Sequence, residues 1–574
     1  MDKVRVRFAP SPTGPLHLGG VRTALYDYLF AKNQGGEFVL RIEDTDTARY
    51  VEGAEDYIEE ALEWCGIIAD ESPKKGGKFA PYRQSERRDI YDRYTEQILK
   101  TDYAYIAFDT AEELDAVRAE YEARGDVFSY DNRTRNQLRN SLSLSEEEVQ
   151  KLLAEKTPYV VRFKMPVDRT LNLVDIIRGN SSVNTNTLDD KVLVKNDGMP
   201  TYHFANIVDD HEMEISHVIR GEEWLPSLGL HTLLYEAMGW EAPQFAHLSL
   251  ILKPDVSTLI SKDNIDSITK SFTEEFVAKN SEFSFDESAE LIKSFFSEVK
   301  SPRFKSMLGE NEKDNLLTAS VKQFLKKGLS GKLSKRDGDK FGFPVFPLNF
   351  TDPATGNVSK GYRESGYLPE AFINMVALLG WSPADDKEIL SLDEMAKEFD
   401  LNKVHKAGAR FSKEKSEWFN HQYIQLKSDE EILSILKNSD LNLTTSDDKL
   451  LRIVHLMKER ATFPIDIYEN GKFFFEAPTS YDEKASKKAW NDETSVILDE
   501  LASNLDGTEF NAENLKQVVH DFAENKGLGM GKVMMPLRLA LVGELKGPDV
   551  PDIMEILGKE ETISRINNAI NNFK

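Results

Sequence analysis

The start of the chain places the strongest constraint on its fold, because it predicts a strand, a helix and a second strand in succession. Residues 4–8 (VRVRF) alternate apolar and basic side chains, which is typical of a strand. The proline-rich loop APSPTGP follows, and residues 17–36 then predict a helix with Leu25 and Leu29 on one face and a glycine pair at its end. With a second strand in EFVLRIED, this order predicts the βαβ unit of a parallel, doubly wound α/β sheet.

A second block of strands and helices lies further along the chain. Residues 84–156 are rich in Glu, Arg and Tyr and predict mostly helix, whereas YVVRFKMP and the segment to about residue 195 predict strands. A βα pattern returns in DGMPTYHFANIVDD, and residues 215–240 predict a strand, a loop and a helix before another strand in HLSLILKPD. Two separated βα blocks indicate one sheet that an inserted domain interrupts.

Two later regions predict helices. Within residues 255–330, apolar side chains such as Ile292 and Phe296 recur at helical spacing, which indicates a small helical insertion. From about residue 365 onward, nearly the whole chain carries helical patterns. The last third is therefore predicted to be helical rather than built from strands.

Composition narrows the classes of protein that fit. The net charge of −26 argues against a nucleic-acid partner, unless the Lys and Arg side chains gather on one face. Cys65 is the single cysteine, which rules out an internal disulfide and a multi-cysteine zinc site, and we interpret it as a buried structural thiol. No apolar stretch reaches the roughly 18 residues that span a membrane, and the N-terminus has no signal-peptide core. We therefore expect a cytoplasmic protein with no membrane partner.

Two motifs have the chemistry to hold a nucleoside triphosphate. The sequence His17-Leu18-Gly19-Gly20 stands at a helix start, where free N–H groups and partial positive charge suit phosphate. The loop at residues 332–336 (KLSKR) is flanked by glycines, and its ammonium groups can follow phosphates as they separate. On its own, each motif is more often structural, as a polar helix cap or a solvated basic loop.

Together, these two motifs resemble the paired signature of class I aminoacyl-tRNA synthetases. Further motifs resemble the glutamyl branch of that family along nearly the whole chain, excepting the insertion. They are RFAPSPTG at 7–14, RIEDTD at 41–46, YHFAN at 202–206, VIRGEEW at 218–224, GYLPE at 366–370, LLGWS at 378–382 and MPLRLA at 535–540. The resemblance implies a Rossmann-like catalytic domain split by an inserted acceptor-binding domain and followed by an all-helical anticodon-binding region. It also implies ATP-dependent activation of L-glutamate and its transfer to the 3′-terminal adenosine of tRNA(Glu).

The domain boundaries that we predict combine this resemblance with the element pattern. They give a first Rossmann catalytic half (1–100), an inserted acceptor-stem-binding domain (101–195), a second catalytic half (196–254), the helical insertion (255–330), a segment with the Lys-Leu-Ser-Lys-Arg loop and a stem-contact region (331–385), and the helical anticodon-binding region (386–574).

The resemblance also implies roles for individual residues. The glutamate ligands would be Arg7, Ala9, Ser11, Glu43, Tyr202, Asn206 and Arg220. ATP would be bound by His17, Gly19, Glu223, Leu333 and Lys335. The catalytic set would be His17, Gly19, Lys332, Ser334 and Lys335, with Asp46 and Arg49 near the tRNA acceptor end.

Physical chemistry agrees with the main assignments. A guanidinium fork suits a carboxylate, which favours Arg7 and Arg220, and Glu43 can accept a hydrogen bond from the substrate ammonium. Arg5 shares a strand face with Arg7, which leaves a merely solvated role open for one of them. Lys335 is our choice for the main phosphate contact in the transition state.

The implied ligands are L-glutamate, tRNA(Glu) and ATP with Mg²⁺, and we expect a monomer. The zinc site of some relatives is expected to be absent, because YIAFD at 105–109 occupies the corresponding stretch. We interpret Asp209-Asp210-His211 as a loop rather than a metal site, and Trp224 and Trp381 as core or packing residues. The insertion could steer the adjacent Lys-rich loop or decorate the surface, and the sequence alone favours decoration.

Other classes of protein fit parts of the sequence. The glutaminyl branch carries a β-barrel anticodon domain, and a shortened paralogue that modifies a tRNA base lacks the C-terminal region. A small-molecule adenylyltransferase would share the two motifs but would not need a long helical C-terminal region. A non-catalytic tRNA-binding protein would be expected to have lost His17, Gly19 or Lys335, and all three are present.

Overall fold

The chain divides into two compact units in a computed structural model that describes residues 3–310 and 314–573. The first unit contains Met1–Ser365 and Phe372–Ser416, and the second contains Gly366–Ala371 and Glu417–Lys574. The main part of the second unit begins at Glu417, and the boundary at residue 386 for the helical anticodon-binding region stays a prediction.

The βα elements of the first unit are interrupted by a smaller group of strands and helices. Before the interruption lie β1 (Arg5–Phe8), α1 (Leu18–Asn33), β2 (Glu37–Leu40), α2 (Ala54–Trp64) and α3 (Arg88–Ile98). The interruption contains β3 (Ala104–Ala107), α4 (Ala111–Ala123), α5 (Glu146–Ala154), β4 (Val160–Phe163), β5 (Thr170–Asp175), β6 (Gly179–Asn184) and β7 (Val192–Val194). After it come α6 (Tyr202–Glu212), β8 (His217–Gly221), α7 (Leu228–Met238), β9 (Gln244–Leu248) and β10 (Ile251–Leu252).

Helices dominate the remainder of the chain. The insertion contains α8 (Val256–Leu259), α9 (Ile265–Lys279), α10 (Phe285–Ser297), α11 (Phe304–Gly309) and α12 (Leu316–Gly328). It is followed by α13 (Lys335–Phe341), β11 (Phe350–Thr351), β12 (Val358–Ser359), α14 (Pro369–Ala377), α15 (Leu392–Glu398), β13 (Ala409–Arg410) and α16 (Lys413–Leu426). The last helices are α17 (Asp429–Lys437), α18 (Asp447–Lys458), α19 (Pro464–Glu469), α20 (Glu483–Ala489), α21 (Thr494–Asn504), α22 (Ala512–Asn525), α23 (Met530–Val542), α24 (Val550–Leu557) and α25 (Lys559–Asn572).

The predicted parallel βαβ unit is confirmed. β1 pairs in parallel with β2, from Arg5 opposite Glu37 to Phe8 opposite Leu40, and α1 connects the two strands. Leu25 and Leu29 of α1 are fully buried, as their common face predicted. β8 and β9 form a second parallel pair in the same unit.

We predicted that the two βα blocks form one sheet, but the backbone hydrogen bonds between β1 and β8 do not form a regular ladder. Ser216, just before β8, donates its backbone N–H to the Arg5 carbonyl at 2.9 Å. The Arg5 backbone N–H donates to the Ser216 hydroxyl oxygen at 2.8 Å instead of to a carbonyl. The strands therefore lie side by side, but a side chain replaces part of the backbone ladder.

The region predicted to be mostly helical over 84–156 contains one strand, β3, in addition to its helices. β3 pairs with β4, which in turn pairs with β7, and both pairings are antiparallel. The side chain of Tyr105 on β3 is buried in a small cluster with Tyr130 and Leu138. Residues 105–109 therefore serve as core and strand here, with Asp109 accepting a hydrogen bond from the Tyr130 hydroxyl at 2.8 Å.

The helical insertion has an apolar core of its own. Phe272 and Phe276 of α9 pack against α10, whose Ile292 and Phe296 are buried as their spacing predicted. α12 contributes Phe324, whose ring centroid lies 5.4 Å from that of Phe276. These helices fall inside the predicted limits of 255 and 330.

One motif singled out in the sequence differs from our interpretation, whereas the tryptophans and the cysteine agree with it. Asp209-Asp210-His211 is not a loop, because it lies within α6 with both carboxylates buried. Trp381 is fully buried in the core, whereas Trp224 is 39% exposed and packs against the Tyr202 ring, so both agree with an interpretation as core or packing residues. Cys65 is buried at the end of α2, and burial raises the pKa of its thiol, in agreement with a structural role. In the described part of the chain, no helix combines the length and apolar character that crossing a membrane requires.

Candidate active site

A cavity of about 630 Å³ lies where the ends of β1 and β8 meet the start of α1. Its lining includes each residue predicted to hold glutamate, namely Arg7, Ala9, Ser11, Glu43, Tyr202, Asn206 and Arg220. It also includes each residue predicted for ATP and catalysis, namely His17, Gly19, Glu223, Lys332, Leu333, Ser334 and Lys335. The fold therefore collects segments that are far apart in sequence around one space.

Asp46 and Arg49 are absent from the lining of this cavity. They lie on an exposed turn, where Asp46 caps a short 3₁₀ helix and binds the Arg49 guanidinium at 2.7 Å. Their position therefore does not indicate that they contact a ligand bound in the cavity.

Buried charged groups form one end of the cavity. Asp210 accepts hydrogen bonds from Arg7 Nε at 2.9 Å and from Arg41 Nη1 at 2.8 Å. Glu43 accepts from Arg41 Nη2 at 3.1 Å and from Asn206 Nδ2 at 3.0 Å. Among the described residues, Arg7 is engaged through Nε, which leaves its two terminal nitrogens for a ligand.

The pKa values at this end follow from burial and from the two guanidinium groups. Burial by itself would raise the pKa of Asp210, but Arg7 and Arg41 outweigh it and hold that pKa below its ordinary value. Burial raises the pKa of Glu43 despite the same two cations. A bound ammonium would favour the charged form of Glu43, which suits it to receive an amino group.

Neither Arg5 nor Arg7 is merely solvated, contrary to the role that the sequence left open for one of them. Both are buried, and Arg5 donates to the two carboxylate oxygens of Glu71 at 3.2 Å. Arg41 was missed in the sequence analysis. The two-residue spacing between Arg41 and Glu43 could have indicated that they pair, because residues two apart in an extended segment share a face.

A chain of buried polar groups fixes Arg220 at the cavity. Arg220 donates through Nε to His247 Nε2 at 3.0 Å and through Nη1 to the Tyr202 hydroxyl at 2.8 Å. Because arginine only donates, His247 Nε2 must be the acceptor, and its Nδ1–H then donates to Asp175 at 2.6 Å. Asp175 also accepts from the backbone N–H of Arg178 at 2.7 Å, so the chain ends on a fixed carboxylate.

Asp175 and His247 were also missed by the sequence analysis. Asp175 ends β5 in the interrupting segment, and His247 lies on β9, so only the fold brings them together. Trp224 belongs to the same wall of the cavity, because its ring lies 4.2 Å from the Tyr202 ring, centroid to centroid.

His17 faces the cavity as a neutral hydrogen-bond donor. It is the N-cap of α1, and its Nδ1 accepts from the Gly19 backbone N–H at 3.2 Å. The proton of the neutral ring is therefore on Nε2, which has no partner among the described residues. Burial, with added repulsion from Lys335 and Lys332, lowers the pKa of His17 to about 4, so the ring is neutral at pH 7.

The Lys-rich loop closes the opposite side of the cavity. Leu333 donates its backbone N–H to the Ile251 carbonyl at 2.8 Å, which holds the loop along β10. Ser334 then caps α13 through its bonds with the Asp337 carboxylate, of which Ser334 N–H to Asp337 Oδ2 is 2.7 Å. Lys332 Nζ lies 3.0 Å from Glu223 Oε1 across the cavity.

Lys335 reaches from the start of α13 to the proline-rich loop after β1. A Cβ atom built on Gly14 would lie 3.3 Å from Lys335 Nζ, and Gly14 has φ +135°, a conformation that favours glycine. Burial lowers the pKa of the Lys335 ammonium. The cavity thus has guanidinium groups at one end and a neutral imidazole N–H with an ammonium at the other, an arrangement for an amino acid carboxylate beside a polyphosphate.

Comparison with known protein families gives two matches that together span most of the chain. The family described as "tRNA synthetases class I (E and Q), catalytic domain" matches residues 3–330 and 354–418. The family described as "Anticodon binding domain" matches residues 421–570. The segment 331–353, with the Lys-rich loop, lies between the matched ranges, so its placement at the cavity rests on the geometry given above.

Curated and solved relatives agree with these matches. A "Glutamate--tRNA ligase" of Christiangramia forsetii is 50% identical over 576 residues and covers 100% of both chains. One of Porphyromonas gingivalis is 49% identical over 574 residues, covering 99% of this chain and 98% of the relative. A crystal structure of a glutamate tRNA ligase from Elizabethkingia meningosepticum in complex with its amino acid has a TM-score of 0.86 and 66% identity, with 100% of both chains covered.

Proposed function

The chain belongs to the class I tRNA synthetase family of the E and Q type, and from that premise we propose that it ligates L-glutamate to tRNA(Glu) using ATP. The observation that carries the proposal is the charge arrangement of the cavity. Arg7 and Arg220 can bind the side-chain and α-carboxylates of an acidic amino acid, and His17 and Lys335 lie where a triphosphate would reach. The relatives named glutamate–tRNA ligase support the choice of amino acid.

The first step joins glutamate to AMP. The α-carboxylate oxygen attacks the α-phosphorus of ATP, a P–O bond forms, and the bond to the leaving pyrophosphate breaks. The carboxylate is already ionised at pH 7, so this step needs positioning and charge stabilisation rather than a general base. His17 Nε2–H and Lys335 Nζ would donate to the phosphate oxygens as negative charge shifts onto pyrophosphate.

The second step transfers the glutamyl group. A hydroxyl of the terminal ribose of tRNA attacks the activated carbonyl carbon, and an ester bond forms. The bond from that carbon to the phosphate oxygen breaks, AMP leaves, and the phosphate oxygen or water takes the hydroxyl proton. We propose Asp46 and Arg49 as groups near the tRNA end, since their exposed turn follows β2 outside the cavity. Mg²⁺ would enter with ATP, held mostly by phosphate and water. The proposal further includes a cytoplasmic, monomeric enzyme that works without zinc.

The helical second unit favours a glutamyl over a glutaminyl enzyme. The glutaminyl branch is expected to have a β-barrel in this region. In this chain, the described residues from 417 to 573 include helices α17 to α25 and contain no strand. With a net charge of −26, tRNA binding requires that the Lys and Arg side chains gather on the tRNA-facing surface.

ATP–pyrophosphate exchange tests the proposed activity. We expect exchange with glutamate only when tRNA is added, and little exchange with glutamine. The assay compares glutamate, glutamine and no amino acid, each with and without tRNA. An exchange rate with glutamine equal to that with glutamate would contradict the assignment of the amino acid. An exchange rate that is the same with and without an amino acid would contradict the proposed activity.

His247→Leu is expected to raise the KM for glutamate about tenfold while changing the KM for ATP little. Arg220 keeps its charge in this variant but loses the acceptor that orients its Nε. Steady-state exchange kinetics give both KM values. His217→Leu is the matched control, because His217 begins the same strand as Arg220 but does not line the cavity. If the two variants have the same KM for glutamate, the positioning role of His247 is wrong.

A further inference from the structure

The helical insertion contacts the helix that carries Lys335. Lys340, near the end of α13, places its Nζ 2.7 Å from Glu275 Oε2 on α9 of the insertion. The same ammonium lies 3.2 Å from the centroid of the Phe272 ring, one turn earlier on α9. Phe272 also faces Phe341 of α13, with ring centroids 6.0 Å apart. An ion pair, a cation–π contact and an aromatic contact therefore join α9 to α13.

These contacts are largely withdrawn from solvent. Phe272 is fully buried, and only 12% of the Lys340 side chain is exposed. Glu275 receives a second cation, Lys279, at 2.6 Å. The two lysines outweigh the effect of burial and lower the pKa of Glu275 to about 2, so its negative charge is kept at neutral pH. A partly buried pair of this kind is screened less by salt than an exposed one.

α13 is short enough for a contact near its end to orient its start. It has seven residues and so is about 10 Å long. Its N-terminal turn is held by the bonds between Ser334 and Asp337, and Asp337 in turn binds Lys253 at 2.9 Å. Lys335 and Lys340 are the first and sixth residues of this helix, so a rotation at Lys340 would move the Lys335 ammonium away from Gly14 and the cavity.

We propose that the insertion is a positioning element for ATP activation, in which Glu275 and Phe272 of α9 hold Lys340 so that Lys335 faces the phosphates. This role rests on the proposed synthetase activity. It replaces the surface-decorating role that the sequence alone favoured. Glu275, Phe272 and Lys340 are positioning residues, since they act on ATP through Lys335.

The test compares Glu275→Gln and Lys340→Met with Glu274→Gln in the full-length chain. Glu274 is the matched control, because it lies on the same helix, is exposed, and forms an ion pair with Lys270 at 4.0 Å rather than with α13. We expect each of the first two variants to raise the KM for ATP or lower kcat in ATP–pyrophosphate exchange by about fivefold. The KM for glutamate and the melting temperature should match those of Glu274→Gln, because the glutamate end of the cavity is untouched.

Swapping the charges of Glu275 and Lys340 distinguishes a positioning role from a general loss of stability. The double variant Glu275→Lys with Lys340→Glu should recover part of the ATP-dependent loss, because it restores the ion pair but not the cation–π contact with Phe272 or the pairing with Lys279. Either reversal alone should be worse than the neutral variants. The proposal is overturned if Glu275→Gln behaves as Glu274→Gln, or if the KM values for ATP and glutamate worsen together with the melting temperature. Failure of the proposed function would look different, since the unmodified chain itself would then show no exchange with glutamate.

Discussion

Lys335→Ala is expected to lower the rate of aminoacylation by well over tenfold, on the order of 100-fold, while tRNA binding stays nearly unchanged. The Lys335 ammonium is the group of the Lys-rich loop that reaches the proline-rich loop beside the cavity. Negative charge moves onto the β- and γ-phosphates as the α-phosphorus is attacked, so a cation held there stabilises the transition state more than the ground state. Alanine removes that charge without altering the cap at Ser334.

Two measurements distinguish a catalytic loss from a binding loss. Initial rates of glutamyl-tRNA formation report the loss of catalysis, and fluorescence anisotropy with labelled tRNA reports affinity. One lysine contributes a small share of the many phosphate contacts that hold a tRNA, so affinity should change little. Lys327→Ala serves as the control, since Lys327 is exposed near the end of α12. Unchanged turnover in Lys335→Ala would remove the role assigned to this residue.

The parts of the fold that depend on local sequence could be predicted. The βαβ unit followed from alternation, helical spacing and a glycine pair within the first part of the chain. His17 and Lys335 could be named because they belong to motifs, although nothing in their spacing said that they would share one cavity. That placement came from the resemblance and is seen here in the lining of the cavity.

The buried ion pairs of the aspartates in α6 could not be predicted, because each pair joins segments that are far apart in the sequence. We interpreted Asp209-Asp210-His211 as a loop rather than a metal site. In the fold, arginines from β1, from the segment after β2 and from the residue before α3 pair with the two aspartates. Both aspartates are buried within α6, whereas His211 is exposed. Such pairs depend on long-range packing, which the local periodicity of the sequence does not report.

The same reason explains the chain from Asp175 through His247 to Arg220. Arg220 belonged to a motif, but Asp175 and His247 looked ordinary in their own strands and belonged to no metal or catalytic spacing. Their functional meaning appears only when β5, β8 and β9 lie side by side.

Asp210→Ala is expected to destabilise the first unit by about 3–5 kcal/mol. Asp210 is buried between Arg7 and Arg41, so removing its carboxylate leaves the buried Arg7 guanidinium without its carboxylate partner and leaves Arg41 with Glu43 as its nearest one. The loss should also raise the KM for glutamate, because Arg7 loses the acceptor that holds its Nε. Urea unfolding followed by tryptophan fluorescence reports the stability change, and exchange kinetics report the KM.

A comparison with an exposed pair tests whether burial is the cause. Glu214→Ala breaks a surface ion pair with Lys78 at 3.3 Å, and such pairs contribute about 0–1 kcal/mol. The pH dependence gives a second check. The pKa of Asp210 is depressed in the folded state, so its stabilisation is complete above the unfolded value of about 3.9 and is lost as pH falls through the folded value. The stability difference between the unmodified chain and Asp210→Asn should therefore be constant near neutral pH and shrink in acid. A difference that grows in acid, or a cost no larger than that of Glu214→Ala, would mean that Arg7 and Arg41 do not depend on this carboxylate.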